Sequence, residues 1–316
     1  MTDNRAEVAL DASAEDELES AEPGAGEKRI TRRQLITRRF LRNKTAVVGG
    51  VIIILLIAIA LIGPYITPYA YDEIDRRAYL KPPSEKHWLG TTQSGRDMLA
   101  LTLRGLRKSL LIGFLVAIIS TSVAALVGSF AAYYGGWFER FALWIIDLLL
   151  VIPAFLLIAL LVTGGPKGPY SWLLLVVLLA AFSWVLSARV VRSLSMSIKE
   201  REYVHAARFM GLSAPKTIVR HILPNISSLL IIDATLNVGA AILAETGLSF
   251  FGFGVQAPDT SLGTLLGEGA RQVNSFPWLF TGPAVVVVVL VLSVNAVGDG
   301  LRDALDPSSG SGGSAG

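Results

Sequence analysis

Three carboxylates stand where carboxylates are expensive. Asp147, Asp233 and Glu245 each lie within a run of apolar residues, and Asn237 follows Asp233 by one helical turn. Ionisable groups inside membrane-length runs are costly and usually functional. Placed on a helix, Asp233, Asn237 and Glu245 are expected near one face. With Asp147 they would line a hydrophilic path for a polar solute, or fix a polar contact with another polypeptide. Enzymatic constellations are missing. The chain has no cysteine, which excludes thiol catalysis, disulfides, cysteine-held zinc and iron–sulfur clusters. Its three histidines, His87, His205 and His221, include no i, i+4 pair and none falls in an apolar run. No metal site is expected. Ser183, Ser187 and Asp147 have no evident base partner. Neither a G-x-x-x-x-G-K-[ST] phosphate loop nor G-x-G-x-x-G occurs, so any ATP must be bound by another chain.

The elements that position these residues follow from hydropathy. Of 316 residues, 52 % are hydrophobic and 17 % charged, against about 25 % charged in a soluble domain. Six apolar runs are long enough to cross a bilayer, which takes roughly 20 residues each: 45–63, 110–132, 141–163, 172–188, 226–244 and 283–297, the last extended toward Leu301. The fold class is therefore an all-α integral membrane protein with six transmembrane helices. Pro64 and Pro68 are expected to end the first run, and Pro153 to kink the third. Residues 1–27 carry nine acids against Arg5 and are expected to stay unfolded. Residues 28–44 are basic with Ile30, Leu35, Ile36 and Phe40 interspersed, a pattern for a helix on anionic lipid or for positive-inside topology. The tail 307–316 is nearly all Ser, Gly and Ala, either a flexible end or a cloning remnant.

Lys and Arg distribution orients the chain. With the N-terminus inside, the inner segments hold 18 and the outer ones 10, so both termini are expected in the cytoplasm. The outer loop 64–108 runs against this bias. Its Arg104, Arg107 and Lys108 are expected to snorkel toward headgroups.

The inner stretch 189–225 is unusually long. Within it Glu202 to Met210 reads as a short helix, Gly211 as its left-handed cap, and Ser213 as the cap of a second helix with Pro215 in the first turn. Ala206 and Ala207 would form one close-approach spot for another protein's groove.

The run Ala206-Ala207-x-x-x-Gly211-x9-His221-x-Leu223-Pro224 resembles the "EAA" loop of permease subunits of bacterial ATP-binding-cassette importers. His205 replaces the usual Glu and His221 the usual Ile, as in the family's peptide and nickel branch. Two more segments look like that branch: His87-Trp88-Leu89-Gly90-Thr91-Thr92-x-x-Gly95-Arg96-Asp97, and Glu245-Thr-Gly-Leu-Ser-Phe250-Phe251-Gly252-x-Gly254-Val255-Gln256-x-Pro258. Together they resemble the "C" permease of dipeptide and oligopeptide importers over about residues 30 to 306.

The resemblance implies a type I importer permease fold, with a core over 109–306. It implies a coupling helix in which Glu202, Tyr203, His205, Ala206, Ala207, Gly211, Leu212 and Pro215 meet the ATPase. It also implies a second permease, one or two kinds of ATPase binding ATP and Mg, and an extracytoplasmic substrate-binding protein touched by Trp88, Arg96, Asp97, Phe250 and Phe251. The chain itself would need no cofactor and meet lipid, not nucleic acid, in a bacterial cytoplasmic membrane. Residues 247–258 would form a re-entrant segment. Peptides, nickel chelates, opines, glutathione or haem would all suit the branch. An ion-coupled transporter, which often carries inverted repeats, and a membrane-embedded enzyme are the rival readings.

Overall fold

The computed structural model describes residues 32–165, 168 and 170–305. The acidic segment 1–27 and the tail 307–316 lie outside the described residues. Among the described residues every regular element is a helix. α1 (Arg32–Arg42) takes up most of the basic 28–44 stretch. The described residues from Phe40 onward form one packed body. Asn43 separates the basic helix from the first apolar one. Its side-chain oxygen accepts from the Ala46 N–H at 3.1 Å and so caps α2 (Lys44–Ile66). Pro64 does not end this helix: in the last turn its missing N–H costs a single bond, and the Thr67 N–H still reaches the Gly63 carbonyl at 3.0 Å.

α3 (Met98–Tyr134) is the central helix. It starts twelve residues before the apolar run, so residues 98–108 are helical rather than part of the preceding loop. Asp97 makes that early start possible by accepting from the Ala100 N–H at 2.8 Å. α4 (Gly136–Val151) and α5 (Ala154–Thr163) divide the third apolar run into two helices bent by 78°. Pro153 does more than kink it. The residue before a proline is driven out of the helical region, and Ile152 accordingly sits at φ −75°, ψ 126°.

α6 (Ser171–Lys199) continues eleven residues past the predicted run. α7 (Glu202–Phe209), α8 (Ala214–Thr217) and a π-turn over Ile218–Ile222 then lead into α9 (Leu223–Phe250). Pro224 accounts for the wide turn: it has no N–H for a regular bond, and the Leu223 N–H reaches back to the Ile218 carbonyl instead. α10 (Leu262–Ala270) is short, and α11 (Trp278–Leu305) closes the body. Among the described residues five helices are long and apolar enough to cross a membrane, six when the bent α4–α5 pair counts as one span.

α3 packs between α6 and α9. Ile112 and Val116, both fully buried, meet Leu175 and Leu179 of α6 and Ala241 and Leu248 of α9. On its other side Leu106 and Leu110 meet Leu290 and Val294 of α11. The α3–α6 crossing depends on Gly128, where a Cβ would lie 2.6 Å from the Ala188 carbonyl oxygen. α2, by contrast, leaves most of its apolar surface uncovered.

Candidate coupling and translocation sites

The bracket after α6 is built by its caps. Gly211 has φ +81°, and no atom lies within 4 Å of the place a Cβ would take, so the backbone conformation, not space, calls for glycine. The Gly211 N–H donates to the Arg208 carbonyl at 2.9 Å and the Leu212 N–H to the Ala207 carbonyl at 3.1 Å, a complete Schellman cap. Ser213 stands at the start of α8 as expected, but its hydroxyl does not cap. Its carbonyl accepts from the Thr217 N–H instead.

The two alanines divide. Consecutive helical residues point about 100° apart, so Ala207 is buried with Val204 against the chain's own body while Ala206 is exposed. The single alanine spot is thus corrected to Ala206. What α7 presents outward is Glu202, Tyr203, Ala206, and above all Phe209 and Met210, which are 90 % and 74 % exposed. The sequence reading passed over this apolar pair, although two large apolar residues before a cap glycine were its signal. Pro215 is exposed and Leu212 half-buried. The bracket is tied inward by polar and aromatic contacts. The Arg208 guanidinium lies over the Tyr133 ring at 5.5 Å, Lys199 Nζ donates to the Ala132 carbonyl at 3.2 Å, and Tyr203 packs 6.5 Å from His221. His205 Nε2 is 3.5 Å from a Glu200 oxygen.

The four polar residues expected on one path occupy three places. Asp233 accepts from Thr121 of α3 at 3.1 Å, Ser187 of α6 at 2.7 Å and Asn237 at 2.9 Å, joining three helices. Glu245 lies 120° around the helix from Asp233, because twelve residues at 100° leave that remainder. It is fully buried, accepting from Ser109 at 2.9 Å and Ser249 at 2.6 Å. It therefore does not line a path; it fastens α9 to α3. Ser109 in turn accepts from the Leu262 N–H, bringing in α10. Asp147 pairs with Arg189 of α6 on an exposed face, next to the Glu139–Arg192 pair, and takes no part in the hydrogen bonds around Asp233. Thr121 and Ser109 were not singled out because hydroxyls in apolar helices leave no distinctive pattern.

At the far end of α3 the segment 67–97 is ordered by a buried imidazole. His87 is 3 % exposed, hydrogen-bonded through Nδ1 to Asp97 at 2.8 Å and stacked on Tyr69 at 4.5 Å. Asp97 is consumed by this bond and by its cap, and is 4 % exposed. It is corrected from a partner contact to an internal clamp. Asp75 lies on the other side of His87; the Arg77 backbone N–H, and then His87, hold its carboxyl below the ordinary range. Trp88 is 71 % exposed, and Phe251 is exposed beside Phe250. Gly247 to Phe250 belong to α9, so irregular backbone begins only at Phe251. Arg104 and Lys108 do not snorkel. They hold Asp259 at 3.0 and 2.5 Å, with Arg104 over Tyr71 and Lys108 over Trp172. Burial opposes the Asp259 charge, but the Lys108 and Arg104 bonds outweigh it and keep its acidity above normal. Among the described residues no group of three His, Asp or Glu is placed to hold a metal ion.

Comparison with known families decides the class. Residues 124–310 match the binding-protein-dependent transport system inner membrane component family, and residues 31–83 match the N-terminal TM domain of oligopeptide transport permease C. The chain belongs to this permease family. It is 53 % identical over 279 residues to the oligopeptide transport system permease protein OppC of Mycobacterium tuberculosis strain H37Rv, covering 88 % of this chain and 96 % of the relative. The corresponding Bacillus subtilis strain 168 protein is 35 % identical over 269 residues, covering 85 % and 87 %. As a permease subunit the chain is a multi-pass membrane component of a binding-protein-dependent importer. It is not itself catalytic; the family's ATPase is a separate subunit.

Proposed function

We propose that this permease imports peptides, as the names of its relatives suggest, with ATP and Mg bound by one or two kinds of ATPase subunit that seat on α7. The observation that carries the reading is the bracket itself. An apolar tip, Phe209 and Met210, projects from a helix that follows directly on α6 and is tied to the end of α3 by Arg208 over Tyr133, beside the Lys199–Ala132 bond that joins α6 to α3. A groove on an ATPase that grips this tip can move α3 and α6 as rigid levers rather than merely bend a loop. Phe209 and Met210 give the grip its apolar area, with Glu202, Tyr203 and Ala206 around it.

Both termini and the bracket lie in the cytoplasm in this reading, and the 67–97 and 251–277 segments face outward, toward a substrate-binding protein that meets exposed Trp88 and Phe251. A second permease completes the channel, and lipid covers the rest. Asp233 with Asn237, Thr121 and Ser187 forms the polar patch that a passing solute meets, at the junction of α3, α6 and α9. Three neutral donors keep that carboxylate satisfied between passages, so nothing need bind tightly to it.

The test is isolation of the complex from its native membrane in mild detergent, followed by reconstitution into vesicles. Recovery of a second permease, an ATPase and a binding protein, with ATP-dependent uptake of the peptide that the binding protein carries, is expected. A binding protein loaded with a nickel chelate or haem would overturn the substrate. ATP-independent uptake driven by an ion gradient would overturn the mechanism.

A further inference from the structure

A cleft of about 440 Å³ opens between the 92–98 segment and the 257–272 segment, at the opposite end of α3 from the bracket. Arg104 and Tyr133, which mark the two ends, are 29 residues apart, or about 44 Å along the helix. A hydrogen bond between Gln93 and Gln272, 3.2 Å, bridges the two sides of the cleft. Its volume falls in the range of small-ligand sites, roughly 300–1,000 Å³.

The charges in it are unequally used. Asp259 is already held by Arg104 and Lys108. Arg96 lines the cleft, and its Nε is buried without a hydrogen-bond partner. Neither Arg96 nor Arg271, the second lining arginine, forms an ion pair with a described residue, although Glu268 shares the cleft with both. A buried N–H left without an acceptor is destabilising. A planar guanidinium is matched by an oxyanion that can accept two parallel N–H bonds, and on a peptide that group is a carboxylate.

We propose that this cleft receives the C-terminal carboxylate of the incoming peptide on Arg96, as a first station on the permease before the Asp233 patch. The inference rests on the peptide reading above. Its physical logic is that a carrier of many different peptides can grip only what all of them share, and a free carboxylate is one such feature. Arg271 adds positive charge beside it. The contact is a single charge-assisted site on the surface of an open cleft, so release stays fast.

The probe is tri-alanine against its C-terminal amide, with the assembled complex in nanodiscs and no binding protein present. Saturation-transfer NMR should show tri-alanine in contact with the wild-type complex, a weaker contact with Arg96→Lys, which keeps the charge without the fork, and a signal about tenfold weaker than wild type with Arg96→Gln. The amide should fail to displace the acid. Equal signals from wild type and Arg96→Gln, or equal competition by the amide, would overturn the site. In vesicles with the binding protein, Arg96→Gln should reduce uptake of the acid and leave that of the amide unchanged. Equal loss of both would instead assign Arg96 to protein docking or to folding. Failure of the wild-type complex to import any peptide would strike the underlying reading rather than this site.

Discussion

The two ends of α3 use the same residue types in opposite ways. At the bracket, Arg208 lies over Tyr133 and Lys199 reaches a carbonyl, while Phe209 and Met210 are left outside. At the cleft, the apolar residues Met98, Leu101 and Leu265 are buried together, and arginines are left at the surface. An apolar tip on a stiffened base suits a partner that must transmit force and stay seated. A polar cleft with two guanidiniums outside any ion pair suits something that arrives, is oriented and leaves. The contrast separates a mechanical surface from a passing one without reference to any partner's identity.

The contrast breaks most sharply at Phe209. Phe209→Asp places a charge in the grip, and the ATPase subunit should bind about 100-fold more weakly, the loss expected of a central apolar anchor. Co-purification from membranes reads this directly; undiminished recovery of the ATPase would move the docking surface elsewhere. The next largest effect belongs to Gly211→Val. A β-branched residue at φ +81° is strained by about 1–3 kcal/mol, which loosens the Schellman cap while the tip survives. Uptake per ATP hydrolysed should fall several-fold with ATPase binding retained, and unchanged coupling would show that the bracket is no lever.

These two residues also show what a sequence carries and what it does not. The turn chemistry at Gly211 was legible because only a residue without Cβ adopts that backbone cheaply. Which alanine faced out was not, since Ala206 and Ala207 differ only by a rotation that packing fixes. Likewise the apolar runs marked where long helices lie but not how far they extend. α3 begins at Met98 and α6 ends at Lys199 because mixed residues remain helical wherever a cap or an ion pair allows. Pro153 marked a bend, but its 78° follows from the extended Ile152 before it. Asp233 and Glu245 were recognisable as costly groups, whereas their Ser and Thr partners on α3 and α6 come from tertiary pairing that no local pattern records.

A third test sharpens the cleft end. Asp259→Asn removes the acceptor that Arg104 and Lys108 share, leaving two cations crowded around a neutral amide. Breaking a largely buried pair in this way should lower the thermal midpoint in detergent by about 5 °C. The sign of its pH dependence is set by the lowered folded value. The clamp contributes fully above the ordinary aspartate value of about 3.9 and is lost only as pH falls through the lower one. Between about pH 5 and pH 8 the difference in midpoint between wild type and variant should therefore stay constant. A difference that shrinks across that window would mean that Asp259 is not the charged partner.

The smallest effect is expected at Asp147, and it bears on both ends. Its pairing with Arg189 joins α4 to α6 on an exposed face, with side chains 62 % and 44 % exposed, beside the deeper Glu139–Arg192 pair. Exposed ion pairs contribute about 0–1 kcal/mol, and Glu139–Arg192 holds the same two helices whether or not Asp147 is charged. Asp147→Asn should therefore leave peptide uptake within about twofold of wild type, whereas Asp233→Asn, which weakens a junction of three helices on the proposed route, should lower it further. If Asp147→Asn instead matched or exceeded Asp233→Asn, the exposed face of α4 and α6 would carry the solute. The levers moved by the bracket would then open a passage along α4 rather than between α3 and α9.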